Sequence, residues 1–440
     1  MPLVDVNAML AAREERARLQ KALLRRFSKP LICFTLNIPG PLKSDPEICR
    51  AFHRGVKLLR NRFTILHEAL SLLDTGCEAI FVVEGDPVRL KIQCMAIEEA
   101  DETGRLYDLD VLDNEGRKLD RPHPRTCLIC CKPAHECARS RAHSIEELFR
   151  RCMDILRRDR QRDTARHIAQ LAQRALLFEA AVGPKPGLVD RLDNGAHDDM
   201  DFFSFLRAVP VLSPYFEEAA LIGMNNGPKD LFPLLAEAGM RGEEAMFRAT
   251  GGVNTHKGAI FSMGLLCAAT GKLYAAGKPF APDPAFSLCG HMVEDAVKTH
   301  FEGLTPENAA TVGDRLYLAH GITGVRGMAA AGFPAVTKVA LPKLRRGLSM
   351  GLSLNDAACG TLLSLLCVVP DTVFIGRSSL SRWQALAAEL SELLSEQPFP
   401  GPEQLDRLNQ SFVSEGLSPG GCADLLALTL FAHFAETQGC

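Results

Sequence analysis

Between Gly183 and Asp201 the chain reads GPKPGLVDRLDNGAHDDMD, a stretch holding Lys185, Asp190, Arg191, Asp193, His197, Asp198, Asp199 and Asp201. Acids, bases and cations crowded into one loop are what a site handling a charged, phosphorylated substrate needs. Pro184 and Pro186 stiffen the backbone, and Gly187 and Gly195 permit positive φ, so the stretch reads as a shaped loop, with nothing in it resembling core. The competing reading is a solvated surface turn. Asp190, His197 and Asp199 are the candidate catalytic residues of the loop; Lys185 and Arg191 are candidate phosphate ligands. Two further stretches, Asn254-Thr255-His256-Lys257-Gly258 and Ser418-Pro419-Gly420-Gly421, each precede an apolar helical segment. Free amides at such helix starts, with Lys257, suit phosphate oxygens. His256 joins the catalytic candidates, and Arg326 the cationic ones.

Earlier in the chain, Asp108 and Asp110 are separated by one residue on a strand-like run, so both carboxylates leave the same face. Mg²⁺ would relieve their mutual repulsion and hold a triphosphate, although D-x-D alone is common on exposed strands. Arg105, Arg125 and Arg139, with Arg121 and Arg141 close by, supply guanidinium forks for phosphate. Cys127, Cys130, Cys137 and His143 offer four soft ligands at zinc-like spacing, with Cys131 as a surplus thiol; the alternative is a set of buried structural thiols.

The elements that must position these residues fall into two regions. The 440 residues are 47% apolar and 23% charged, as expected of a chain with a real core. Residues 1–165 hold 29 Lys/Arg against 25 Asp/Glu, and the remainder 21 against 28, which suggests two modules, the first suited to an acidic partner. Fifteen cysteines and a start of MPLVDVNAML followed by REERAR, without a signal-peptide pattern, point to a reducing cytoplasm. Apolar runs such as 260–270 and 361–370 are too short to cross a bilayer and read as core helices. The basic helix at 8–26 lacks interleaved aromatics, so nucleic-acid binding is not expected.

Periodicity predicts helices over 8–26 and 46–73, strands at 31–38, 78–84, 88–97 and 104–113, and a capped helix from Ser144 to about 158. The charged tract 157–166 is the candidate linker or helical bridge. Twelve helical segments follow, beginning at 167, 201, 229, 242, 258, 283, 306, 334, 355, 378, 403 and 422. The expected fold is multi-domain: an α+β domain with a small mixed sheet over 1–160, then an all-α multi-helix domain over 167–440.

Several of these motifs carry a resemblance. GRLYDLDVLD and PRTCLICCKPAHECARSRAHSIEEL, with LICFTLNIPGPLK, resemble the apo-citrate lyase phosphoribosyl-dephospho-CoA transferase family over about residues 1–160, and Arg13 and Arg16 match its basic start. PKPGLVDR…GAHDDMD, TGGVNTHKGAIFSMGLL, GITGVRG and LSPGGCADLL resemble triphosphoribosyl-dephospho-CoA synthase over about 168–437. The second resemblance implies that ATP is joined to 3′-dephospho-CoA with expulsion of adenine. The first implies transfer of the phosphoribosyl-dephospho-CoA group to a serine of the apo-citrate lyase acyl carrier subunit, releasing diphosphate. The same cofactor chemistry serves malonate decarboxylase, which is the alternative client. Asp193, Met328, Ala330, Val373, Ser378 and Ser379 depart from the synthase pattern, leaving a helical half that binds without catalysing as a further alternative.

Overall fold

The computed structural model describes residues 6–130 and 132–438, so Cys131 and the first five residues lie outside the described residues. The chain divides into two compact units, Met1–Gln161 and Arg162–Cys440.

In the first unit, α1 (Val6–Phe27) leads into β1 (Leu31–Leu36). Asp45 accepts from the amides of Glu47 and Ile48, and with Pro46 at the first position it starts α2 (Pro46–Arg62). The expected helix to 73 stops there. Ile65–Leu73 is β2, an edge strand paired with β3 (Gly76–Val83). Its EALSLL run favours a helix locally, but antiparallel pairing with the buried β3 overrides that preference. The converse correction concerns 88–97, expected as a strand. Gly85-Asp86-Pro87 is a helix start, Asp86 accepting from the Arg89 amide at 3.0 Å, and α3 (Pro87–Glu99) follows. A 3₁₀ turn at Gly104–Leu106 then delivers β4 (Tyr107–Leu112).

The sheet has the order β2-β3-β1-β4, and every pairing is antiparallel, not mixed as expected. One face packs under α1 through Leu23, Leu31, Ile80 and Val82. The other packs under α2 and α3 through Phe34, Phe52, Phe81 and Leu109. The outer edge of β4 is closed by α3 side chains: Lys91 donates to the Leu109 carbonyl at 3.0 Å, and buried Glu98 accepts from the Leu109 amide at 2.7 Å. After α4 (Ala134–Ser140), Ser144 and Glu147 form the expected capping box for α5. That helix runs Ile145–Ala181, so the tract at 157–166 is helical throughout. Asp159 within it is buried beneath Arg50 and Arg54.

The second unit is all helix. After α5 come α6 (Phe202–Asn225), α7 (Pro228–Thr250), α8 (Lys257–Ala275), α9 (Pro282–Glu302), α10 (Val312–His320) and α11 (Gly324–Ala330). A π turn at Val336–Ala340 precedes α12 (Leu341–Ser349), α13 (Leu354–Val368), α14 (Thr372–Arg377), α15 (Leu380–Glu396), α16 (Pro402–Ser414) and α17 (Gly420–Gln438). The two segments expected at 229 and 242 are one helix, α7, and the short α11 and α14 were not expected. Helix α8 is long and apolar enough, by length and composition alone, to cross a membrane, yet 72% of it is buried inside the fold. It packs against α6 so closely that a Cβ on Gly223 would sit 2.0 Å from the Ala268 carbonyl oxygen.

Candidate active sites

In the first unit a cavity of about 1180 Å³ opens beside β4, lined by Arg105, Arg121, Arg125 and Arg141 together with Cys127, Cys137 and His143. Most of these guanidinium groups are held in place. Arg105 donates to the carbonyls of Thr126 and Cys127 at 3.2 and 2.9 Å. Arg125 donates to the Tyr107 carbonyl at 2.9 Å and pairs with both Glu98 and Asp108. Burial pushes the Glu98 carboxyl up, and Arg125 works against that rise. Arg141 is exposed, with no partner among the described residues, at the end of α4. Arg139 points elsewhere: it is exposed on α4 and does not line the cavity.

Asp108 and Asp110 alternate with buried Tyr107 and Leu109, so they share a sheet face as expected. Each already faces a cation, Arg125 at 3.3 Å from Asp108 and Lys118 at 2.6 Å from Asp110. Two carboxylate oxygens on one face suit Mg²⁺ with a triphosphate completing its shell, provided Lys118 yields its ion pair. The sulfurs of Cys127, Cys130 and Cys137 and a ring nitrogen of His143 all lie within 4.8 Å of one another.

In the second unit the loop at 183–201 is half core. Residues 182–190 are buried without a break, against the expectation of an open loop, whereas Arg191–Asn194 and Asp198–Asp199 are exposed. Lys185, 1% exposed, donates to the Glu179 carboxylate and carbonyl at 2.5 and 2.7 Å. Asp190 accepts from the amides of Lys185, Leu192 and Asp193, which gives the loop its shape. Burial lifts its carboxyl above the ordinary range, while those amides oppose the shift. Gly187, at φ +72°, lies so near Leu417 that a Cβ would stand 2.1 Å from its carbonyl oxygen.

That contact brings the loop to the start of α17. His197 Nε2 is 2.8 Å from the Ser418 hydroxyl, and its Nδ1 faces Arg377 at 3.3 Å and exposed Asp199 at 3.6 Å. Burial and Arg377 depress the His197 pKa; Asp199 pulls the other way. The start of α8 meets α17 as well. A Cβ on Gly258 would lie 2.0 Å from Asp424 Oδ2. Asn254 accepts from the Lys257 amide at 3.1 Å, and the Lys257 ammonium pairs with Glu243 at 3.0 Å. His256 is 3% exposed, with Nδ1 2.9 Å from the Thr255 hydroxyl and Nε2 buried without a hydrogen-bond partner among the described residues. Burial, with the charge of Lys185, pushes its pKa down to about 3.

Sequence reasoning passed over Glu179 and Asp371. Asp371 accepts from the amides of Val373 and Phe374 at the start of α14 and of Cys422 in α17, so one carboxylate caps two helices. Burial, then Glu179 and Asp371, hold the Asp424 carboxyl well above its usual range. Arg326 lies on α11 and bonds Asp314 at 2.9 Å beside His300. Arg377, between the departing positions Val373 and Ser378, reaches the Ala196 carbonyl at 2.8 Å. No motif marks Glu179; the signal in the sequence is a single acid within the apolar end of α5, ALLFEAA.

Comparison with known proteins bears on both units. Residues 165–439 match the model of the family described as ATP:dephospho-CoA triphosphoribosyl transferase, and residues 4–159 that of apo-citrate lyase phosphoribosyl-dephospho-CoA transferase. The chain belongs to both families. "Protein CitXG" of Haemophilus influenzae is 34% identical over 97% of this chain and 96% of its own. "Protein CitXG" of Leuconostoc mesenteroides subsp. cremoris is 34% identical, with the same coverage of 97% and 96%. A Streptococcus mutans protein named "Probable 2-(5''-triphosphoribosyl)-3'-dephosphocoenzyme-A synthase" is 37% identical over 61% of this chain and 96% of its own. The chain is thus a bifunctional transferase of citrate lyase prosthetic-group biosynthesis.

Within the triphosphoribosyl transferase half, the departing positions have local structural roles. Asp193 accepts from Asn409 at 2.7 Å, Met328 and Ala330 pack on the core, and Ser379 caps α15. Val373 is 42% exposed and would touch a Cβ on Gly420 at 3.7 Å, so that departure lies beside the start of α17.

Proposed function

We propose that the second unit joins ATP to 3′-dephospho-CoA with release of adenine, and that the first transfers the resulting phosphoribosyl-dephospho-CoA group to a serine of the apo-citrate lyase acyl carrier. The observation that carries the reading is the meeting of the 183–199 loop with the N-termini of α8 and α17 around buried His256 and Lys185 and half-buried Asp424.

In this reading the ATP phosphates lie against the α8 and α17 starts, near Asn254, Lys257, Gly258, Ser418, Gly420 and Gly421. Neutral His256, its Nε2 unpaired, takes the proton of the attacking dephospho-CoA hydroxyl once the bound triphosphate's negative charge offsets the burial and the Lys185 charge that depress its basicity. Asp424, whose carboxyl is held well above its usual range by burial and then by Glu179 and Asp371, donates to the departing adenine. Glu179 and Asp199 supply negative charge to the oxocarbenium-like transition state, as in other glycosyl transfers. Asp190 shapes the loop, Lys185 is its buried anchor to Glu179, and His197 fixes the loop to Ser418. Arg191 is exposed at the edge of the loop, whereas Arg326 is engaged by Asp314 and has no role in this reading.

In the first unit, Arg105, Arg121, Arg125 and Arg141 receive the triphosphate and later the diphosphate. Mg²⁺ between Asp108 and Asp110 would neutralise phosphate charge. The excess of basic residues over 1–165 suits an acidic carrier.

The test is a coupled assay with ATP, dephospho-CoA and each apo-carrier, reading adenine and carrier mass. Both products are expected with the citrate lyase carrier. Labelling of the malonate decarboxylase carrier alone would reverse the choice of client. Adenine release no faster than in His256→Ala would remove the synthase reading.

A further inference from the structure

We propose that Cys127, Cys130, Cys137 and His143 hold a zinc ion, and that this ion pins one wall of the arginine-lined cavity. The Cys130 and Cys137 sulfurs are 3.4 Å apart, His143 Nε2 is 3.3 Å from the Cys130 sulfur, and all four ligand atoms fall within 4.8 Å. Two thiolates on a tetrahedral zinc, each at about 2.3 Å, stand roughly 3.8 Å apart, so the four atoms need only small movements to surround a metal.

The backbone is built for it. Thr126 and Pro133 form a bridge, Cys127 N–H donates to the Lys132 carbonyl at 2.8 Å, and Ala134 N–H to that of Arg125 at 2.8 Å. A tight hairpin thus presents Cys127 and Cys130, and the Ile129 amide points at the Cys127 sulfur at 3.4 Å. Such an amide stabilises a thiolate. Cys137 comes from α4, and His143 follows a turn in which Arg141 takes the left-handed conformation at φ 50°. A non-glycine residue there is strained and persists only where its surroundings over-determine it. A metal joining Cys137 to His143 across that turn supplies such a constraint.

Three thiolates and one imidazole fill a tetrahedral shell and leave no open position, so the ion's role is structural. Its consequence for the cavity follows from the same bonds. Arg105 holds the Thr126 and Cys127 carbonyls, Arg125 opens the hairpin, and Arg141 sits between two ligands. Losing the metal loosens the anchor of Arg105 and the turn that carries Arg141, whereas Arg125 keeps its bonds to Tyr107, Glu98 and Asp108. This last step rests on the transferase reading of the cavity; the metal itself does not.

Full-length protein purified under reducing conditions is expected to carry about one zinc per chain. Cys130→Ser and Cys137→Ser should lose it, whereas Cys49→Ser, a thiol outside the cluster, keeps it. His143→Ala should weaken zinc on the order of a hundredfold or more, and His143→Cys should restore it. Should the serine variants fail to fold, Co²⁺ added to the metal-stripped wild type still decides, because a thiolate-rich tetrahedral site gives strong visible and charge-transfer bands. Absence of both zinc and the cobalt bands overturns the site. So does a Cys130–Cys137 disulfide found by mass in freshly reduced protein, or zinc that survives the Cys130 and Cys137 substitutions. Carrier labelling lost with the metal while adenine release persists supports the cavity role. If labelling survives, the pinning role is overturned and the metal site stands.

Discussion

His256 is the residue on which the second site's chemistry turns. Its ring is buried, its Nε2 unpaired, and its pKa pushed down to about 3 by burial and by Lys185. Such a histidine is neutral at physiological pH, with an unpaired ring nitrogen that becomes a competent base only when a bound anion raises its proton affinity. The sign of its effect on stability follows. Above about pH 6.5 it is neutral folded and unfolded and contributes no pH dependence. As pH falls from about 6.5 toward 3, the unfolded chain takes up a proton that the folded chain refuses, so stability declines by up to about 1.4 kcal/mol per pH unit. Denaturant unfolding of wild type and His256→Gln across that range should show a shallower acid decline in the variant. The same substitution should slow adenine release by roughly a hundredfold or more if His256 is the base.

Elements meet at this site through glycines, and two of them separate folding from chemistry. A Cβ at Gly187 would collide with the Leu417 backbone carbonyl at 2.1 Å, in a left-handed conformation. Gly187→Ala should cost roughly 2 kcal/mol or more, measured by denaturant unfolding. A Cβ at Gly258 meets only the tip of Asp424, which can rotate away. Gly258→Ala should therefore shift Tm by no more than about 4 °C. Displacing the Asp424 carboxyl should nevertheless reduce adenine release at least ~10-fold, since general acid–base groups contribute in that range. Asp371 tests the element scale differently. Its three backbone partners join α14 to α17, so Asp371→Ala should destabilise the chain by about 2 kcal/mol and disturb the start of α17.

Across the whole molecule the proposed roles are divided between the two units, and the division is testable. Asp108 lies on β4 of the first unit, paired with Arg125, which lines the cavity. Asp108→Asn should abolish carrier labelling while leaving adenine release unchanged; loss of both would mean that the metal site or the division of labour is misplaced. The α+β and all-α characters, the loop motifs and the families were legible in the sequence, because glycines, prolines and charged clusters are local signals. So were the Ser144 capping box and the shared face of Asp108 and Asp110, which need only neighbouring residues. Ile65–Leu73 as strand and Pro87–Glu99 as helix were not legible. The first is imposed by pairing with β3, and the second by an Asp86-Pro87 helix start that also resembles a turn. Nor could the sequence show that Lys185 is buried against Glu179, that one carboxylate at Asp371 serves two helices, or that His256 Nε2 has no hydrogen-bond partner among the described residues. Those outcomes depend on burial and on contacts between residues far apart in the chain. The sequence by itself determined which chemical groups are present and which local turns present them. Only the tertiary structure decided which groups are desolvated, which are already paired, and which are left to act.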